Sequence, residues 1–162
     1  MNRFLIALDA IQESSKSIRY LTGVLNAAGQ YEFVLFHALP TASPNLLTHE
    51  EVRRIEGLHK LKPHLSGYFW KNEDEQQMAR TFETARQMLV EAGFSPANVS
   101  TYFDVQSVEV SQLIIQAARK LRCSTIVLGR RRLSRMKELL LGSTSVSVTR
   151  LGRDFTVWVV DA

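Results

Sequence analysis

Residues 31–39 read YEFVLFHAL, and this run decides the fold. Phe33, Val34, Leu35 and Phe36 follow one another without a polar break, so both faces of an extended segment would be apolar. A strand of that kind belongs in a parallel sheet covered by helices on each side. Working outward, four further runs read as strands: residues 3–9 (RFLIALD), 99–105 (VSTYFDV), 124–128 (STIVL) and 155–160 (FTVWVV).

Helical spacing separates them. Ile18, Leu21, Leu25 and Ala28 fall at steps of three and four and predict a helix over 13–28, closed by Gly29. Thr48-His49-Glu50-Glu51 fits a capping box, with Thr48 as N-cap and Glu51 three residues later, so a short helix starts there. Met78, Phe82, Ala85, Leu89 and Ala92 predict a longer helix that Gly93 and Pro96 end. Val110, Ile114, Ala117 and Leu121 predict one over 107–121, and residues 142–151 the last. Strands alternating with helices predict an α/β fold: a doubly wound, five-stranded parallel sheet with helices on both faces and right-handed crossovers. In such sheets ligands bind beyond the carboxyl ends of the strands, where strand order reverses.

The 162 residues predict a single domain over 1–162 with a sizeable core. Hydrophobic residues at 45% and charged residues at 22% are the ordinary globular mix, which excludes wholesale disorder. The net charge of +4 is local: Arg130, Arg131, Arg132, Arg135 and Lys137 sit within eight positions. Cys123 is the only cysteine, so a disulfide within the chain and CxxC metal sites are excluded, and a reducing compartment fits. The apolar run at 4–8 is too short for a leader and is cut by Asp9. No run approaches the roughly 18 apolar residues of a membrane span, so a soluble, cytoplasmic protein is expected.

The chemistry concentrates in residues 128–145, LGRRRLSRMKELLLGSTS. Gly129 directly follows a strand, where a missing Cβ permits a sharp turn or a close approach. Gly142-Ser143-Thr144-Ser145 stands where the last helix begins. A helix N-terminus offers unpaired N–H groups to an anion, and the three hydroxyls can add hydrogen bonds to phosphate oxygens. The arginines can grip phosphate in bidentate fashion. The same residues also read as a turn at Gly129, an N-cap at Ser143, and a solvated basic face over Met136, Leu139 and Leu140.

Other constellations are weaker. His49, His59 and His64 lie near Glu50, Glu51 and Glu56, but no pair has metal-motif spacing. Cys123, beside Arg122, reads as a structural thiol. No Ser-His-Asp set is present, and no general base supports more than slow ATP hydrolysis, so no catalytic residue is assigned. The basic cluster lacks interleaved aromatics and a helix-turn-helix pattern, which ranks nucleic acid below a nucleotide.

Taken together, FLIALDAI with Asp9, VLFHAL with His37, TIVLG followed by Gly142-Ser143, and the closing VWVV resemble the universal stress protein family along essentially the whole chain. The family's loop pattern, G-x2-G-x9-G-[ST], is met at Gly129, Gly142 and Ser143, with Arg132 in the second glycine slot. Asp9 is followed by Ala10-Ile11 where the family has Gly-Ser. The resemblance implies strand order 3-2-1-4-5 and a stress-response module that binds an adenine nucleotide: ATP, AMP or ADP, with or without Mg²⁺. It implies that Asp9 contacts the adenosine part and that the backbone at His37 and Ala38 lines the base. Leu128 and Gly129 would pack by ribose and phosphates, and Gly142, Ser143 and Ser145 would hold phosphates, with Arg132 adapting the loop. The alternative is a degenerate loop and a protein that acts through contacts with an unknown protein partner. In that strand order residues 155–160 form an edge that a second copy would cover as a homodimer. Alternatively, the segment 40–70 covers it.

Overall fold

The computed structural model describes residues 1–9, 14–129 and 143–160. Among these residues five strands form one parallel sheet: β1 (Asn2–Ala7), β2 (Tyr31–Leu39), β3 (Val99–Val105), β4 (Thr125–Gly129) and β5 (Thr156–Val160). Their spatial order is β3-β2-β1-β4-β5, as expected. Ala7 pairs with Phe36 on one side and Leu128 on the other, so β1 and β4 end within one residue of each other while β2 runs on to Leu39.

The run that is apolar on both faces explains the two cores. Phe33 and Leu35 join Phe4, Ile6 and Val127 on one face, beneath α1 (Ser14–Val24) and α3 (Asn72–Glu91). Val34 and Phe36 join Leu5, Ile126 and Leu128 on the other, beneath α4 (Val110–Lys120) and α5 (Ser143–Leu151). Each helix buries the middle of its predicted stripe: Ile18 and Leu21 on α1, Met78, Phe82, Ala85 and Leu89 on α3, Ile114 and Ala117 on α4, where Leu113 is buried as well.

Three boundaries differ from the spacing. Helix α1 stops at Val24 rather than residue 28, because Asn26 turns the chain: its side chain accepts from Ala28 N at 3.0 Å, and Gly29 N donates to Asn26 O. Helix α4 starts three residues late, because Gln106 N donates to Leu39 O and Ser107 N to Val105 O, which holds the chain in a turn beyond β3. Strand β1 ends at Ala7, short of Asp9.

The segment between β2 and α3 carries α2 (His49–Leu61). Its capping box forms as read: Glu51 N donates to Thr48 Oγ1 at 3.1 Å and Thr48 N to Glu51 Oε2 at 2.8 Å. The segment does not cover β5. It lies at the opposite edge, where His64 stacks on Tyr102 at 5.5 Å and Lys62 Nζ sits 4.6 Å from the Phe103 ring. His64 Nε2–H donates to the Phe103 carbonyl at 3.4 Å. Trp70, fully buried, anchors the segment against Phe103 and donates to Glu75. Among the described residues no strand pairs with the outer edge of β5.

Candidate functional site

In this sheet the strand order reverses between β1 and β4, because β1 connects onward to β2 on one side and β4 lies on the other. The crevice beyond their carboxyl ends is the place where a doubly wound sheet receives a ligand. Several of the expected residues converge there.

Asp9 follows β1 by two residues and is half-buried. Its position is set from β2. Leu8 N donates to Phe36 O at 2.8 Å, and His37 Nδ1–H donates to Leu8 O at 2.7 Å. Both backbone groups of Leu8 are thereby tied to the neighbouring strand. His37 is buried, with its ring edge-on to Phe82, so it serves the backbone as a strand-end histidine. Ala38 is buried on the α4 face, and its carbonyl accepts from Gln106 Nε2 at 3.3 Å.

Leu128 packs in the α4–α5 core, so its side chain faces away from the α1 side. Gly129, the last residue of β4, is exposed. Its φ lies outside the left-handed region, so a turn does not require the glycine there. The approach is close, however: a Cβ at Gly129 would stand 3.1 Å from the Ser17 hydroxyl on α1, so that hydroxyl would have to give way.

Helix α5 starts at Ser143, and β4 and β5 are parallel, so this crossover helix runs against them and begins at the carboxyl end of the sheet. No acidic residue stands in its first turn to offset the partial positive charge of its N-terminus. Thr144 is half-buried and Ser145 is buried, with its carbonyl accepting from Thr149 Oγ1 at 2.6 Å. Arg132 and Gly142 lie outside the described residues.

Ser17 is not among the residues that the sequence motifs single out. It is 1% exposed, and its Oγ is the buried side-chain polar atom without a hydrogen-bond partner among the described residues. The signal was available: Ser17 stands four residues before Leu21, on the apolar stripe of α1.

The other candidates are occupied elsewhere. His59 Nε2–H donates to Tyr68 O at 2.7 Å, and His64 serves β3. No three His, Cys, Asp or Glu side chains group to hold a metal among the described residues. Burial pushes the Cys123 thiol up to about 11. No helix among the described residues is long and apolar enough to cross a membrane.

The family model described as the universal stress protein family matches residues 1–160. A search among curated proteins finds no match. Among solved structures, a universal stress protein from Archaeoglobus fulgidus is 18% identical, with a TM-score of 0.67 and 98% of each chain covered. The Archaeoglobus fulgidus protein in complex with dAMP is 16% identical, with a TM-score of 0.63, covering 98% of this chain and 97% of that one. A universal stress protein family protein from Arabidopsis thaliana with AMP bound is 11% identical, with a TM-score of 0.63, covering 99% and 92%.

Proposed function

The chain belongs to the universal stress protein family, and from that premise we propose that it is a stress-response module that binds an adenine nucleotide beyond the carboxyl ends of β1 and β4. One observation carries the reading: the register that pairs Ala7 with Leu128 puts Leu8 level with Gly129 and Asp9 one residue beyond the end of β4, at the point where strand order reverses. The residues suit the ligand. A carboxylate at Asp9 can accept from ribose hydroxyls or the base. The N-terminus of α5, with Ser143, Thr144 and Ser145, suits phosphate. The strand end at Gly129 presents backbone without a side chain. Complexes of structural relatives with AMP and dAMP support the same ligand class.

The second reading, a degenerate loop in a protein that works through a protein partner, rests on Arg132 in the second glycine slot. Calorimetric titration with ATP and with AMP, each with and without Mg²⁺, separates the two. Binding that Gly142→Val abolishes supports the nucleotide reading. Arg132→Gly then assigns the arginine: weaker binding means that its guanidinium holds phosphate, and tighter binding means that it obstructs the site. No heat with either nucleotide moves the function to the protein partner.

The same reading includes a homodimer through β5. The β3 edge is covered by His64 and Lys62, whereas β5 presents its outer edge beside a cavity of about 390 Å³ lined by Tyr20, Trp158, Val159 and Val160. A second β5 would satisfy those backbone groups under two-fold symmetry.

A further inference from the structure

Two turns at the amino end of the sheet carry the same pattern. Residues 119–125 read RKLRCST and residues 150–156 read RLGRDFT. Each begins in the last turn of a helix, α4 or α5, and ends on the first residue of the strand that follows. Thr125 and Thr156 are register partners in β4 and β5, so Arg119 and Arg150 hold equivalent places, as do Arg122 and Arg153. Neighbouring strands lie about 5 Å apart, which sets the four arginines two by two on one face. All four are exposed, with Lys120 beside them. Asp154 is the one carboxylate within the two turns, and Arg119 Nη2–H donates to it at 3.4 Å. This face stands at the opposite end of the sheet from the crevice beyond β1 and β4.

Arg122 has a φ of 56°, and among the described residues it is the one non-glycine residue with positive φ. It closes α4: Arg122 N donates to Arg119 O at 3.2 Å, and Cys123 N to Ala118 O at 2.8 Å. That place at a helix end favours glycine, and a side chain there costs stability. Four neighbouring guanidinium groups with one carboxylate add mutual repulsion. An anionic partner would relieve the repulsion and give the strained side chain a contact. We infer that this face is a docking surface for an acidic segment of a partner protein. Guanidinium groups grip carboxylates in bidentate fashion. Leu151, 46% exposed between Arg150 and Arg153, offers an apolar contact within the basic face. The two turns present no exposed aromatic ring on which a base would stack, which favours a peptide over single-stranded nucleic acid. The inference stands apart from the nucleotide reading. Because the two sites lie at opposite ends of the sheet, both can be occupied at once.

The test uses the full chain and fluorescence anisotropy with a labelled oligoglutamate peptide carrying a central leucine, at low salt and at about 0.15 M. Oligothymidylate of equal charge and phosphatidylglycerol vesicles serve as the other polyanions. The wild type is expected to bind the peptide more tightly than either. Arg122→Gly combined with Arg153→Gln is expected to weaken peptide binding about tenfold. Free Arg122→Gly is expected to melt above the wild type, since glycine suits the left-handed backbone. A purely structural role for Arg122 would not move binding and stability in opposite directions. Arg130→Gln combined with Arg131→Gln removes equal charge from the other basic stretch and is expected to leave peptide affinity within about twofold. Binding lost in that variant and kept in Arg122→Gly with Arg153→Gln overturns the inference. Tighter binding of oligothymidylate or of vesicles than of the peptide overturns it too, as does a wild type that binds none of the three.

Discussion

His37 holds Leu8 in place: its Nδ1–H donates to the Leu8 carbonyl at 2.7 Å, one residue before Asp9. The chain leaving β1 is thus set by a side chain from β2, 29 positions away. His37→Phe keeps a ring against Phe82 but leaves the Leu8 carbonyl without its donor. The expected loss is roughly 1–3 kcal/mol in urea unfolding. Nucleotide affinity should fall with it, because Asp9 loses its register. His37→Asn, whose amide N–H can reach the same carbonyl, should recover part of both. Equal stability for the Phe and Asn variants would show that packing, not the hydrogen bond, is what counts at this position.

Ser17 and Gly129 are coupled through space rather than through a bond. The Cβ of Gly129→Ala would sit 3.1 Å from Ser17 Oγ, tighter than ordinary contact. Overpacking of this kind costs about 1 kcal/mol or somewhat more. In a Ser17→Ala background the obstructing atom is gone, and the same change should cost less than about 0.5 kcal/mol. A double-mutant cycle read by denaturant unfolding measures the difference. Additive losses would mean that Gly129 is required for a reason other than Ser17.

The strands and the capping box were legible because their signals are local. YEFVLFHAL announces a strand buried on both faces, and Thr48 stands three residues before Glu51 whatever the rest of the chain does. What the spacing could not reach were partners distant in sequence. Trp70 against Phe103 and His64 on the Phe103 carbonyl place the segment after β2 at the β3 edge, and neither contact has a sequence signature. The burial of Ser17 was legible from its place on the α1 stripe, four residues before Leu21, but its neighbour Gly129 on β4, more than a hundred residues away, was not. The end of α1 was misplaced because Asn26 competes for the backbone through its side chain, which hydrophobic spacing does not register.

Cys123 should be inert in the folded protein. It is buried between β4 and α4, and desolvation pushes its thiol from 9.0 up to about 11, with Arg3 pulling the other way and Glu32 adding to the rise. A thiol reagent at pH 8 should label it slowly in the native state and at once in denaturant. The sign of the pH dependence follows. The fold prefers the neutral thiol, so its contribution to stability is complete below pH 9 and is lost as pH rises from 9 toward 11. Cys123→Ser or Cys123→Ala should flatten that part of the stability profile. Rapid native labelling at pH 8 would contradict the burial.

The proposed dimer makes the two sheet edges inequivalent, and the inequivalence can be measured. At β3, His64 takes a backbone carbonyl and Lys62 covers Phe103. At β5 the outer backbone groups face outward from a short, apolar strand, and an edge of that kind pairs unless a charge or a proline prevents it. Trp158 is a poor choice for a disrupting change, because its ring packs on Phe4 at 5.4 Å and on Tyr20 at 6.3 Å, and a substitution would damage the core. Val159 is half-buried and lies outside both core clusters. Sedimentation equilibrium of the wild type should give twice the chain mass of 18.4 kDa. Val159→Lys should give the single-chain mass with an unchanged far-UV spectrum. A wild type that sediments as one chain at every concentration would mean that β5 is left open, and its apolar edge would then have to be met by a different protein.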